Sequence, residues 1–136
     1  MKAERNLRRT LTVNAVASGL VAVGGVAFAG PVGRLLDVST AAVWIVAAAL
    51  VPWSIGVLEL ARSERAMLLR ATPWISVGDA LWVAASAVLL AGGIIDRSGW
   101  WLVVPMAVAV GELGATQALL WRSLTRQPAV PAPAVA

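Results

Sequence analysis

The sequence contains no cysteine, no histidine and no tyrosine, and a single phenylalanine. Without cysteine there can be no disulfide, thiolate nucleophile or sulfur ligand; without histidine the usual zinc sites and His-ligated haem are excluded, and no serine has an imidazole to activate it. Charge is also scarce. Charged residues make up 13% of the 136 residues, against about 25% in an ordinary globular domain. Hydrophobic residues reach 60%, against roughly 45–50%. The length alone would permit one soluble domain, but too little polar surface remains to coat one. Eleven Lys and Arg against seven Asp and Glu give a net charge of +4. The basic residues fall in short clusters beside apolar runs, which is the pattern of topology signals and anionic-lipid contacts; no nucleic-acid partner is expected.

What the chain has instead is length in its apolar runs. Residues 11–29, 41–60, 73–91 and 100–121 can each cross about 30 Å of hydrocarbon at a rise of about 1.5 Å per residue. The first run has the basic head of a signal peptide and a small-residue pattern, "AFAG", but three further runs follow, and it reads as a retained helix. In "GPVGRLLDVST" the Gly-Pro pair is expected to stop the first helix and Ser39 or Thr40 to cap the second, with Val32, Leu35 and Leu36 flat at the interface. "ARSERAMLLRAT" reads as a loop ending in Thr72 as N-cap and Pro73 at the first helical position. "GGIIDRSG" is turn-rich, with Ser98 as a cap, and "QPAVPAPAVA" reads as an extended, disordered tail.

Orientation follows from where Lys and Arg lie. Lys2, Arg5, Arg8 and Arg9, then Arg62, Arg65 and Arg70, then Arg122 and Arg126 sit on one side; Arg34 and Arg97 alone sit on the other. That asymmetry predicts an all-α polytopic membrane protein, a four transmembrane helix bundle with both termini cytoplasmic, in a bacterial inner membrane. Residues 1–126 form its single domain and 127–136 its tail. Trp74, Trp100, Trp101 and Trp121 fall at predicted helix ends, where amphipathic rings belong, while Trp53 and Trp82 lie deeper.

Polar residues inside these runs need a reason, since a carboxylate at the centre of a membrane costs a few kcal/mol. Glu59, near the end of its run, has Arg62 three residues on and is expected to form an interfacial ion pair. Asp79 lies roughly 9 Å past Pro73. Glu112 is deepest, roughly 15 Å from Arg122, and is expected to face the bundle interior or a partner helix rather than lipid. It belongs to a small-residue ridge, Ala107, Gly111 and Ala115, that would admit another helix. Asn14, Ser18, Ser54, Thr116 and Gln117 are the polar groups within reach of the spans. Asn14, Glu59, Asp79, Glu112, Thr116 and Gln117 therefore form the candidate intramembrane cluster, outlining a polar pocket open to the cytoplasm and closed on the far side by packing around "VASGLVAVGGVAF". Asn14 echoes Asp79, and Glu59 echoes Glu112, as in a weak parallel repeat of two helix pairs. No catalytic pairing, cofactor motif or metal motif is present: Glu59, Asp79 and Glu112 are oxygen donors on separate helices.

"NAVASGLVAV", "GPVGRLLDVS", "GDALWVAAS" and a last helix ending "QALLWRS" resemble small bacterial four-helix membrane proteins loosely akin to the DoxX-like group. "GELGATQ" departs from the more uniformly apolar fourth helix of that group. The resemblance implies the fold and no activity. Three functions are compatible with these observations. The chain is expected chiefly to act without catalysis through helix–helix contact, with the bilayer and with other membrane subunits or itself as partners. The alternatives are a proton- or cation-coupled transporter using Glu112 and Asp79, and a binder of a small apolar or lipid-like ligand between the helices.

Overall fold

Hydrocarbon offers no water to a backbone N–H or C=O, so a long apolar chain has the helix as its open solution. The computed structural model describes residues 2–126. It consists of α1 (Lys2–Ala27), α2 (Ala29–Leu36), α3 (Thr40–Arg62), α4 (Arg65–Ala91), a 3-10 turn (Arg97–Gly99) and α5 (Trp100–Thr125), with no strand among the described residues. α1, α3, α4 and α5 are each long and apolar enough to cross a membrane. The expected tail, 127–136, lies outside the described residues.

Two helix starts fall earlier than the apolar runs indicate. α1 begins at Lys2 because Leu7 and Leu11 are completely buried, which draws the basic head into helix. α4 begins at Arg65, so the expected 61–72 loop reduces to Ser63 and Glu64. Thr72 is therefore no N-cap: it is buried inside α4 and its hydroxyl donates to the Leu68 carbonyl at 2.6 Å. Pro73 likewise sits within the helix rather than at its start. Its ring has no N–H for the Leu69 carbonyl one turn back. The Trp121 indole N–H of α5 donates to that carbonyl instead, at 2.7 Å.

Pro31 acts the same way at the end of α1. It has no N–H to offer Ala27, and α1 ends there, so the Gly30–Pro31 pair lies in the first turn of α2 and not just beyond α1. Asp37, in the left-handed conformation at φ 56°, ends α2. Of the two expected caps, Ser39 is the one used: its hydroxyl accepts from the Ala42 N–H at 3.1 Å, and Thr40 is the first residue of α3. At the other link Ser98 is no cap: α5 starts after Gly99 without a side-chain cap, and Asp96 caps the 3-10 turn, its carboxylate accepting the Ser98 hydroxyl at 2.7 Å and the Ser98 N–H at 3.0 Å. The Ser98 hydroxyl, first among these contacts, holds the Asp96 carboxyl below the usual carboxylate range.

α1 lies along α3 and α5 along α4, and the two pairs join mainly through α1 and α5. Although consecutive in the chain, α3 and α4 touch far less. Small residues bring α1 and α3 together: a Cβ added to Gly25 would come within 2.9 Å of the Ala47 Cβ, and Gly19 faces Ser54. Large aliphatics concentrate at the basic end, where Leu7, Leu11, Val57, Leu60, Leu68 and Leu124 belong to one buried cluster. The Arg8 guanidinium seals that end, donating to the carbonyls of Ala61 at 3.0 Å and Ser63 at 2.7 Å and pairing with Glu4 at 2.9 Å. The Ala61 carbonyl lies in the last turn of α3 and the Ser63 carbonyl at its C-cap, where no helical donors are left.

Replacing Trp121 by Phe keeps the ring but leaves the Leu69 carbonyl unpaired, and lowers stability by about 1–2 kcal/mol in detergent unfolding, while Trp74→Phe at an exposed position is neutral. Equal midpoints for Trp121→Phe and the parent chain would refute the backbone-capping role. A second expectation concerns acid. Asp96 titrates lower when folded, so its contribution is complete at neutral pH and is lost as pH falls through the depressed value. Ser98 amide exchange, corrected for intrinsic rate, accelerates over that acid range, and Asp96→Asn removes the pH dependence.

Candidate functional site

Three helices each place one polar side chain in the same buried spot. Asn14 of α1, Asp79 of α4 and Gln117 of α5 are 2%, 3% and 0% exposed. The Asn14 amide donates to Asp79 Oδ2 at 2.9 Å, and the Gln117 amide donates to the same oxygen at 3.2 Å. Ser18, one turn beyond Asn14, donates to the Asn14 amide oxygen at 3.3 Å. On insertion scales an unpartnered carboxylate here would cost about 2.5–3.5 kcal/mol, and the two amide donors offset part of that from inside the protein. Asp79 Oδ1 accepts no hydrogen bond from the described residues, and the Gln117 amide oxygen is buried without a partner.

Backbone proximity makes the cluster possible. Gly114 lies one turn before Gln117, and a Cβ there would meet the Asp79 Cβ at 2.9 Å. Only glycine lets α5 approach α4 at the level of the carboxylate. Gly78, beside Asp79, lies directly under the Trp53 indole, leaving no room for a Cβ. Trp53 on Gly78 is thus the tight point of the otherwise thin α3–α4 contact.

Asp79 forms part of the wall of a chamber of about 560 Å³ bounded by all four long helices, with Asn14, Ser18, Trp53 and Trp82 around it. A second chamber, of about 690 Å³, adjoins it toward the end away from the basic residues. The two share Val21, Val46, Leu50, Trp82, Ala85 and Met106 as walls. Apart from the Trp82 indole and Ser86, whose hydroxyl donates to the Trp82 carbonyl at 2.9 Å, the second chamber is lined by apolar side chains and glycines. Ile45 and Ala49 of α3 and Leu81 and Ala85 of α4 line these chambers and are also exposed, so the opening is sideways between α3 and α4. The pocket is therefore the reverse of the expected one. The leucine cluster closes the basic end, while the Gly/Ala/Val half of α1, too small to fill the bundle, leaves the space beyond Asp79 empty.

Of the six residues expected in the cluster, Asn14, Asp79 and Gln117 come together. Glu59, Glu112 and Thr116 do not: each is exposed on the outside of its helix. Glu59 makes no ion pair with Arg62; both are exposed, where competition from solvent leaves such pairs little net strength, and the described ion pairs are Glu4 with Arg8 and Arg65. Glu112 does not face the interior. The buried face of α5 is Gly114, Gln117 and Leu124, and Glu112 points the opposite way. The Ala107–Gly111–Ala115 ridge is divided, with Gly111 against Val83 of α4, Ala107 half-buried and Ala115 exposed. Glu59, Asp79 and Glu112 accordingly do not converge, and no group of three potential metal ligands exists among the described residues. Gly114, Gly78 and the two inward tryptophans are the site positions that sequence patterning did not single out. Gly114 sharing a face with Gln117 was the available signal.

Compared with protein-family models, characterised proteins and solved structures, the chain matches none.

Gly114→Val is expected to prise α5 from α4 and separate Gln117 from Asp79, lowering stability by about 1–3 kcal/mol. Gly111→Ala meets Val83 at an ordinary 3.6 Å and stays close to the parent chain. Thermal unfolding of both variants in detergent checks the contrast, and a tolerated Gly114→Val would contradict the close approach.

Proposed function

We propose that the protein is a non-catalytic membrane protein that holds a small amphipathic molecule between its helices. The apolar body lies in the far chamber and a hydrogen-bond-donating head reaches Asp79. The observation that carries this reading is the continuity of a carboxylate-lined chamber with an apolar one. Each chamber falls within the roughly 300–1,000 Å³ typical of small-molecule sites. Asp79 Oδ1 offers an acceptor with no competing donor among the described residues, and Trp53 and Trp82 add π-faces beside it. Acceptor and aromatic faces together favour an amine over a neutral head group. The lateral gap between α3 and α4 supports entry from the lipid phase.

The basic end is taken as cytoplasmic and the host as a bacterial inner membrane, on the distribution of Lys and Arg. Kinship with the DoxX-like group stays a proposal on the sequence motifs alone. Transport that couples Asp79 to Glu112 draws no support from the geometry, because the two carboxyls lie on opposite sides of α5.

The test uses the purified chain in lipid nanodiscs, titrated with a bromophenylbutylamine and with the alcohol of the same body, and reads heavy-atom quenching of tryptophan. Saturable quenching by the amine is expected, with the alcohol about tenfold weaker, as one charge-assisted hydrogen bond provides. Asp79→Asn removes the difference. Equal, unsaturable quenching by both probes would sink the reading.

A further inference from the structure

The face of α5 turned away from the bundle has a regular pattern of its own. Trp101, Pro105, Val108, Glu112, Ala115 and Leu119 follow one another at alternating steps of four and three, and all are exposed. That is the seam spacing of a left-handed helix pair. Glu112 occupies its centre, roughly 18 Å from Trp100 and roughly 20 Å from Thr125 along the helix. No described residue gives it a hydrogen bond or an ion pair. Its helical neighbours one turn before and after, Val108, Ala109, Ala115 and Thr116, are short and exposed as well. Close approach by another helix is open there, and no described residue covers the carboxyl.

We infer that this face joins two copies of the chain in the membrane, with their Glu112 carboxyls hydrogen-bonded to each other at the centre of the contact. The membrane supplies the argument for a second copy. Both copies share one orientation, so a two-fold axis along the membrane normal puts identical residues at identical depth. A carboxyl pair that shares a proton offers both an O–H donor and acceptor oxygens, which makes the contact self-complementary, and Thr116 adds a hydroxyl one turn away. A foreign helix would need a matching polar group at the same level; a second copy has it by construction. None of the six seam residues lines either chamber, so either the contact or the ligand site can fail without the other.

Because the chain has no cysteine, single substitutions report cleanly. In liposomes at low protein-to-lipid ratio, Ala115→Cys is expected to give disulfide-linked dimers under mild oxidant, while Leu20→Cys, exposed on α1, gives none. Adding Glu112→Leu weakens dimerisation about tenfold, the size of one interhelical polar contact. Glu112→Gln, which still donates and accepts, keeps it. The assignment is overturned if Ala115→Cys links no better than Leu20→Cys, or if Glu112→Leu associates as tightly as its parent. Stoichiometric recovery of a different protein on this face, with no dimer, overturns the second-copy assignment too.

Discussion

The structure depends on one constraint: a polar group placed in hydrocarbon must find its partner within protein. Asp79 meets it by drawing Asn14 and Gln117 from two other helices, and so ties α1, α4 and α5 at one level. α3 gives nothing to that cluster. It is held by small-residue packing along α1, with Trp53 resting on Gly78 as its main reach toward α4. The lateral opening between α3 and α4 therefore appears where the polar clasp has no member. Architecture and cavity share a cause.

The same constraint works on the backbone. Each proline inside a helix frees the carbonyl four residues before it, and an aqueous protein would let water take up the bond. Here Trp121 takes it for Leu69, which locks α5 to α4 two turns away from the Gly114 contact. Arg8 does likewise for the last carbonyls of α3, so a residue whose positive charge reads as a topology signal also ends a helix. Such dual use explains why the basic end is tightly packed. Leucine volume, backbone capping and the Glu4 ion pairs coincide there, whereas the far half of the bundle has mainly alanine, glycine and valine on α1 to fill the same cross-section.

How much of this was legible in the residues follows from the range of each interaction. Hydropathy is local and summed over many positions, so four spanning helices could be read directly, as could a cap at Ser39 or Thr40, which depends on its own neighbours. The early start of α4 was hidden because Arg65 and Arg70 count against an apolar run although they are good helix formers. Partners of polar residues depend on packing between distant segments. Asn14 and Asp79 stand out by their cost in lipid, but no spacing encodes their meeting across 65 positions. The outward aim of Glu112 was partly legible. Glu112 and Gln117 are five residues apart, about 140° around a helix, so one direction cannot bury both. Gly114 shares the face of Gln117, and glycine in a membrane helix marks close approach.

Two carboxyls at depth on adjoining helices have been given different surroundings by that geometry. Asp79 faces two amide donors and a cavity; Glu112 faces outward among short side chains. Burying both inward would have put two carboxyls into one small chamber whose two amide donors, Asn14 and Gln117, are already taken by Asp79. Turning Glu112 outward relieves the interior and transfers the demand for a partner to whatever adjoins α5. Lipid tails cannot supply a donor, so the free energy of that side chain falls most when another polar group arrives at its depth. A residue that is a liability for the single chain is thereby the group on its outer surface with most to gain from a polar partner.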